Sequence, residues 1–198
     1  MEPKIITVSP SAFGFLYEEC ASCYYHEALG LRKRPRTPFP AIFTAIDLAM
    51  KEHFDSRPWH RPTQDGPRFR IVAQGRWVKS QPIPVAGGEL ELVIRGIYDS
   101  LIAFEDEGRG ICDFKTSPVK PALVGKYGRQ LHSYAFALEH PAAGNPMTID
   151  RLGLAVFEPQ TFTADGAKAA TLGGRFAWID VPRDDDAFGT FLEDVGRC

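Results

Sequence analysis

The stretches Val93-Ile94-Arg95-Gly96-Ile97-Tyr98-Asp99-Ser100-Leu101-Ile102 and Ile111-Cys112-Asp113-Phe114-Lys115 decide how this chain is read. Both are rich in the branched and aromatic residues of buried strands, yet Asp99 sits in the first and Asp113 with Lys115 in the second. Burying such groups without partners is costly, so they are expected to face one another. Side chains two apart in a strand share a face, which puts Asp113 and Lys115 on one side and Cys112 with Phe114 on the other. The intervening Glu105-Asp106-Glu107-Gly108-Arg109 is polar and carries a glycine, as a short hairpin loop requires. Pairing Phe104 with Gly110 across it sets Asp99 opposite Lys115, with all three charged heads on one side. Opposed and diagonal Cβ atoms in a sheet lie about 5 to 8 Å apart, close enough for two carboxylates to hold one hard cation beside an ammonium. A loop changed by one residue would reverse the parity.

Outward from these strands the pattern alternates. Residues Phe69 to Val78 and Glu89 to Phe104 read as strands with Gly87-Gly88 as the turn between them, and Gly110 to Lys115 as a third. Upstream, Ser9-Pro10-Ser11 opens a helix that Gly30 stops, and Pro40 begins a second that runs to about Phe54. Its apolar stripe is Phe43, Ile46, Met50 and Phe54, with Asp47 inside it. Downstream, Leu123 to Glu139 has helical spacing and Leu152 to Phe157 is a buried strand. Thr161 to Val181 is a further strand or a hairpin turning at Gly173-Gly174, and Asp184 to Val195 is a last helix. This order predicts an α/β fold with a central mixed β-sheet flanked by helices. One domain over residues 1–198 is expected, with room for the chain to be a piece of a longer one.

Composition narrows the function classes. Lysine and arginine total 23 against 25 acidic residues, so no overall field pulls the chain onto nucleic acid, and any polyanion contact must be local. The densest basic run, Arg32, Lys33, Arg34 and Arg36, is interrupted by prolines and reads either as a solvated loop or as a phosphate contact. No run of 18 apolar residues and no basic-then-apolar leader is present, and four cysteines in a chain this long point to a reduced, cytoplasmic setting. There is no G-x-S-x-G elbow, phosphate loop, Rossmann glycine fingerprint or H-E-x-x-H.

Asp99, Asp113 and the carbonyl of Phe114 make an oxygen donor set of the kind that Mg²⁺ or Mn²⁺ accepts. Lys115 is then placed to orient an attacking water or offset developing negative charge. The alternative is a buried ion pair of Lys115 with one aspartate, which strands the second acid.

The ordered motifs Gly96-Ile97-Tyr98-Asp99, Asp113-Phe114-Lys115-Thr116 and Gln130-Leu131-His132-Ser133-Tyr134 resemble the G-x-x-D, D-x-K-T and Q-x-x-x-Y motifs of the PD-(D/E)XK nuclease superfamily. The nearest pattern is its RecB-like branch, which includes the RecB and AddB nuclease domains and the CRISPR-associated exonucleases. The resemblance implies a restriction-endonuclease-like core and a metal-dependent DNA nuclease acting in DNA repair, recombination or phage and CRISPR DNA processing. It also implies Asp99 and Asp113 as metal ligands, Lys115 as the catalytic lysine, and Gln130 with Tyr134 beside the active centre; core packing is the other role open to Tyr134. Where many members carry a histidine ligand on an early helix, this chain has Asp47, either a metal ligand or a capped or exposed acid. Some relatives hold an iron-sulfur cluster through one early and three late cysteines. Here Cys20, Cys23 and Cys198 are the candidates, and Cys20-x-x-Cys23-x-x-His26 offers a zinc alternative. DNA, single- or double-stranded, is the expected partner. The rival readings are a catalytically inactive nuclease-fold module that binds nucleic acid or protein, and an iron-sulfur or zinc scaffold in a larger complex.

Overall fold

The computed structural model describes residues 3–32, 35, 38, 40–55, 59–64, 66–166 and 169–197. Among them the chain forms β1 (Lys4–Val8), a π-helical turn (Ala12–Tyr17), α1 (Ala21–Ala28), α2 (Ala41–Asp55), β2 (Phe69–Lys79) and β3 (Ile83–Val85). These are followed by β4 (Leu90–Phe104), β5 (Arg109–Thr116), α3 (Ala122–Glu139), β6 (Arg151–Asp165), β7 (Ala169–Val181) and α4 (Asp185–Arg197). The seven strands make one mixed sheet in the order β1-β4-β5-β6-β7, with β2 and β3 paired to β4. The β1–β4 and β5–β6 pairs are parallel and the rest antiparallel. No helix among the described residues is long and apolar enough to cross a membrane.

β4 organises the sheet. One of its edges is held by β3 and β2 in succession, from Val85↔Leu90 to Phe69↔Phe104. Its other edge changes partner: β1 pairs with residues 90–94, ending at Val8↔Ile94, and β5 pairs with residues 100–103, beginning at Ser100↔Cys112. Between these, residues 95–99 have no strand partner on that edge. β5 meanwhile stays with β6 as far as Thr116↔Phe157, so β4 and β5 part after Cys112 and a gap opens between them. The side-chain alternation of β4 also slips here. Ile94, Tyr98 and Leu101 all pack into the larger core beneath α3, whereas Ile102 and Phe104 pack into the smaller core beneath α2.

Each helix is held by an apolar stripe. α4 buries Phe188, Phe191, Leu192 and Val195 at spacings of three and four, and α3 buries Leu131, Tyr134, Ala135 and Ala137. A full side chain of this kind removed from water is worth about 1.5–3 kcal/mol. α2 contributes Met50 and Phe54, the latter within 5.3–5.9 Å of the rings of Phe69, Phe114 and Phe176.

Several expectations need correction. Ser9 Oγ accepts the Ala12 N–H at 3.2 Å as a helix start requires, but the helix expected as far as Gly30 breaks at Cys20, whose extended backbone caps α1 instead. Cys20 and Cys23 form a disulfide, so these two are not the free thiols expected from composition. The hairpin expected to turn at Gly173-Gly174 runs on to Gly166, and those two glycines lie inside β7 facing Thr161 and Pro159. β1 and β3 were not anticipated. The β4–β5 register is Ala103↔Arg109 and Ile102↔Gly110, two residues from the expected pairing, because the reversal tightens over Phe104–Gly108, where Glu107 takes a φ of 66°. Continued inward, it sets Asp99 opposite Asp113 rather than Lys115. The shift is even, so the parity survives.

Gly96 lies in the stretch where β4 has β2 on one edge, through Val78, and no strand on the other. A Cβ there would stand 2.8 Å from Pro10 Cδ and 3.1 Å from Tyr134 Cε1, so the absent side chain is what lets the turn after β1 and the α3 tyrosine close on the strand. Gly96→Val is expected to cost about 1–3 kcal/mol by overpacking. The check is the urea midpoint of the full chain; an unchanged midpoint would mean that Pro10 and Tyr134 separate freely.

Candidate active site

The gap between β4 and β5 is the floor of a cleft of about 480 Å³. Asp99, Asp113, Lys115, Thr116 and Ile97 line it from the strands, Phe43, Thr44, Asp47 and Met50 from α2, Tyr127 and Gln130 from α3, and Phe15 from the π-helical turn. Two larger clefts exist, of about 770 Å³ between α3 and α4 and 710 Å³ between α2 and the β6–β7 hairpin. Neither contains a buried carboxylate.

Asp99 closes the gap chemically. With β4 and β5 diverging, the Phe114 N–H has no ladder partner on β4, and Asp99 Oδ2 accepts it at 3.0 Å. A strand residue's N–H and C=O lie on the same edge, so the Phe114 carbonyl opens toward the same gap. Asp99 Oδ1 takes the Lys51 ammonium at 2.8 Å, and that ammonium also lies 2.8 Å from Asp47 Oδ2, one helical turn earlier on α2. Asp113, 3% exposed, forms an ion pair with Lys115, whose ammonium stands 4.6 Å from the centre of the Tyr127 ring.

The two strand acids titrate apart. Burial pushes the Asp113 carboxyl up, Lys115 pulls it back, and the charge and hydrogen bond of Asp99 add to the rise, leaving it at about 7. For Asp99 burial also acts upward, but hydrogen bonds from Asp113 and Lys51 and the charges of Lys51 and Lys115 outweigh it and hold the carboxyl below its usual range. The two titrate as a pair, Asp99 ionising first and Asp113 keeping its proton until the pH nears 7. Burial works against the charge of both ammoniums. The acids beside them prevail, and both Lys51 and Lys115 are held above the ordinary lysine value.

Of the residues expected at the centre, Asp99, Asp113, Phe114, Lys115, Gln130 and Asp47 meet in this cleft. Tyr134 does not line it: the ring is buried in the larger core, its oxygen accepts from the Gln130 side-chain amide, and burial lifts it to about 12. Gln130 Oε1, in contrast, is buried without a hydrogen-bond partner. Asp47 reaches the cleft through Lys51. Among the described residues no three His, Cys, Asp or Glu side chains form a ready group for one ion, and Lys51 stands between Asp47 and Asp99. Lys51 was missed by sequence reasoning; its signal is the four-residue spacing from Asp47, which pairs an acid and a base on one helix face.

Among the described residues the cysteines build no second centre. The Cys20 and Cys23 thiols are consumed in the disulfide, and His26 Nδ1 is bonded to the Ser22 carbonyl at 2.7 Å. Cys112 is fully buried in the smaller core, on the face away from Asp113. Cys198 and the basic residues Lys33, Arg34 and Arg36 lie outside the described residues; Arg32 is exposed. His132 is structural, its Nδ1 on the Gly128 carbonyl at 2.9 Å and its Nε2 accepting the Asp184 N–H at 2.9 Å ahead of α4.

No family model and no curated protein matches the chain. Among solved structures, one described as "Crystal structure of SSO0001" is similar at 15% identity over 96% of this chain and 75% of that one, with a TM-score of 0.48.

An acid whose pKa rises on folding makes the folded state bind the extra proton between its unfolded and folded values, so stability falls as pH rises through that window. For Asp113 the window runs from 3.8 to about 7. The contribution of Asp99 has the opposite sign and is lost only as pH falls below the ordinary carboxylate range. Denaturation of the chelator-treated protein at several pH values is expected to show a decline in unfolding free energy between pH 4 and 7 that Asp113→Asn flattens. An equally steep decline in the variant would mean that Asp113 ionises normally.

Proposed function

We propose that the cleft is the active centre of a metal-dependent nuclease that hydrolyses DNA phosphodiester bonds, and that the chain is a RecB-like member of the PD-(D/E)XK superfamily with its restriction-endonuclease-like core. The observation that carries this reading is the meeting of Asp99, Asp113 and Lys115 where β4 and β5 separate, within reach of Gln130. A structural ion pair alone needs no second, half-buried acid, and a scaffold strand needs no break in its ladder.

The donor set fits a hard divalent cation such as Mg²⁺ or Mn²⁺: two carboxylates, one of them still holding its proton, and a carbonyl on a freed strand edge. When bound, such an ion supplies a more acidic water and offsets charge on a phosphoryl oxygen. Asp99 and Asp113 would hold the ion, and Asp113 would give up its proton to do so. Lys115, kept charged by Asp113 and steadied by Tyr127, is placed to neutralise negative charge that builds on the phosphate. Gln130 lines the cleft with a buried, unpaired acceptor, which a turn of its side chain would offer to a water or to a sugar hydroxyl of the strand. These groups grip backbone and read no bases, so cleavage without sequence preference is expected.

A module of the same fold that binds without cutting is the second reading, and the hold of Lys51 on Asp99 favours it. The two separate in an assay of labelled single- and double-stranded DNA with Mg²⁺ or Mn²⁺. Cleavage that drops at least about a hundredfold in Asp113→Ala and in Lys115→Ala is the expected result. Wild-type rates in both variants would remove the assignment, and binding without cleavage would leave the second reading.

A further inference from the structure

We propose that Lys51 is a built-in counter-cation of the cleft, which a divalent ion must displace from Asp99, and that Asp47 is the place to which the lysine retreats. The proposal rests on the metal-dependent reading above and assigns roles to two residues that the motifs leave unexplained.

The geometry supplies the argument. Asp99 has two oxygens, and Oδ2 is committed to the Phe114 N–H at 3.0 Å. The other, Oδ1, is the one that Lys51 holds at 2.8 Å. An ion seated on Asp99 and Asp113 therefore meets an ammonium already on the oxygen it needs. The same ammonium is 2.8 Å from Asp47 Oδ2, so releasing Asp99 does not return Lys51 to the cleft unpaired; it can remain on α2 with its i−4 neighbour.

Charge points the same way. Three carboxylates face the cleft, and two ammoniums answer them: Lys51 between Asp47 and Asp99, and Lys115 on Asp113. All five groups belong to the described lining or touch it, and none of the side chains carrying them is more than 33% exposed, so their fields are only partly screened by water. The cleft is thus close to neutral before any ion arrives. Removing the Lys51 charge adds one to the acidic excess and frees Oδ1. The pairing also accounts for an acid at position 47, since Asp47 serves the lysine and is not a ligand of the centre.

The test is isothermal titration of the full chain with Mn²⁺, comparing wild type with Lys51→Met and Lys51→Gln, each checked for its fold by circular dichroism. The expected result is at least tenfold tighter Mn²⁺ binding in both variants, with Lys51→Arg close to wild type. A purely structural salt bridge would leave the affinity unchanged or lower it. Equal or weaker binding in Lys51→Met and Lys51→Gln overturns the proposal, while the metal-dependent reading survives if Asp99→Ala abolishes the wild-type heat. Absence of Mn²⁺ uptake from wild type and from both variants overturns the proposal and that reading together.

Discussion

The Asp99 carboxylate standing in for a missing strand is the interaction on which the rest of the site depends. A sheet edge that changes partner leaves backbone donors exposed, and a buried N–H without an acceptor costs more than a typical hydrogen bond returns. Here the edge of β4 passes from β1 to β5 with five residues between them, and Asp99 Oδ2 takes the Phe114 N–H that the ladder no longer reaches. The same divergence that creates the need also creates the cleft. Had β5 stayed paired to β4 as far as Thr116, the acids would be sealed in a continuous sheet with no room for a ligand.

Once opened, the cleft must tolerate charge in a poorly solvated place. Ionising both strand acids against each other is avoided by leaving a proton on Asp113, and each remaining charge is matched by an ammonium. Buried pairs of this kind seldom add net stability compared with apolar packing, since desolvation consumes much of the attraction. The apolar mass that sustains the site lies elsewhere. The cluster of Phe54, Phe69, Phe114 and Phe176 holds α2 down on one face, and the larger core under α3 and α4 holds the other. The strand bearing the acids is fixed by its neighbours, which lets the acids remain poised instead of folded away.

Sequence reading reached the centre because charge in an apolar strand is a conspicuous signal, and because strand faces depend on parity alone. The register was off by two, yet Asp99 and Asp113 still came together; an error of one would have separated them. What escaped was set by contacts distant in sequence. The β-branched run Ile5-Ile6-Thr7-Val8 has strand propensity, but nothing local to it announces a parallel pairing with β4. Nothing around Gly173-Gly174 distinguishes a turn from the middle of a long strand, since glycine serves both. Lys51 resembles any surface lysine on an amphipathic helix until α2 is seated over β5 and its ammonium meets an acid 48 residues away. The break at Cys20 was hidden by apolar spacing that continues through it.

The motif residues that carry no chemistry are bound to those that do by a single packing unit. Pro10, leaving β1, and Tyr134, from α3, both close on Gly96, three residues before Asp99 and inside the stretch of β4 that has a strand on one edge only. Tyr134 in turn holds Gln130, whose neighbouring turn of α3 presents Tyr127 to Lys115. A side chain at Gly96 would therefore act beyond its own position: pressing on Pro10 and Tyr134, it would move α3 relative to β4 and with it the groups that steady Lys115. The glycine and tyrosine of the first and third motifs are thus the mechanical support of the second, and their order along the chain follows from the way one helix packs across the gap between two strands.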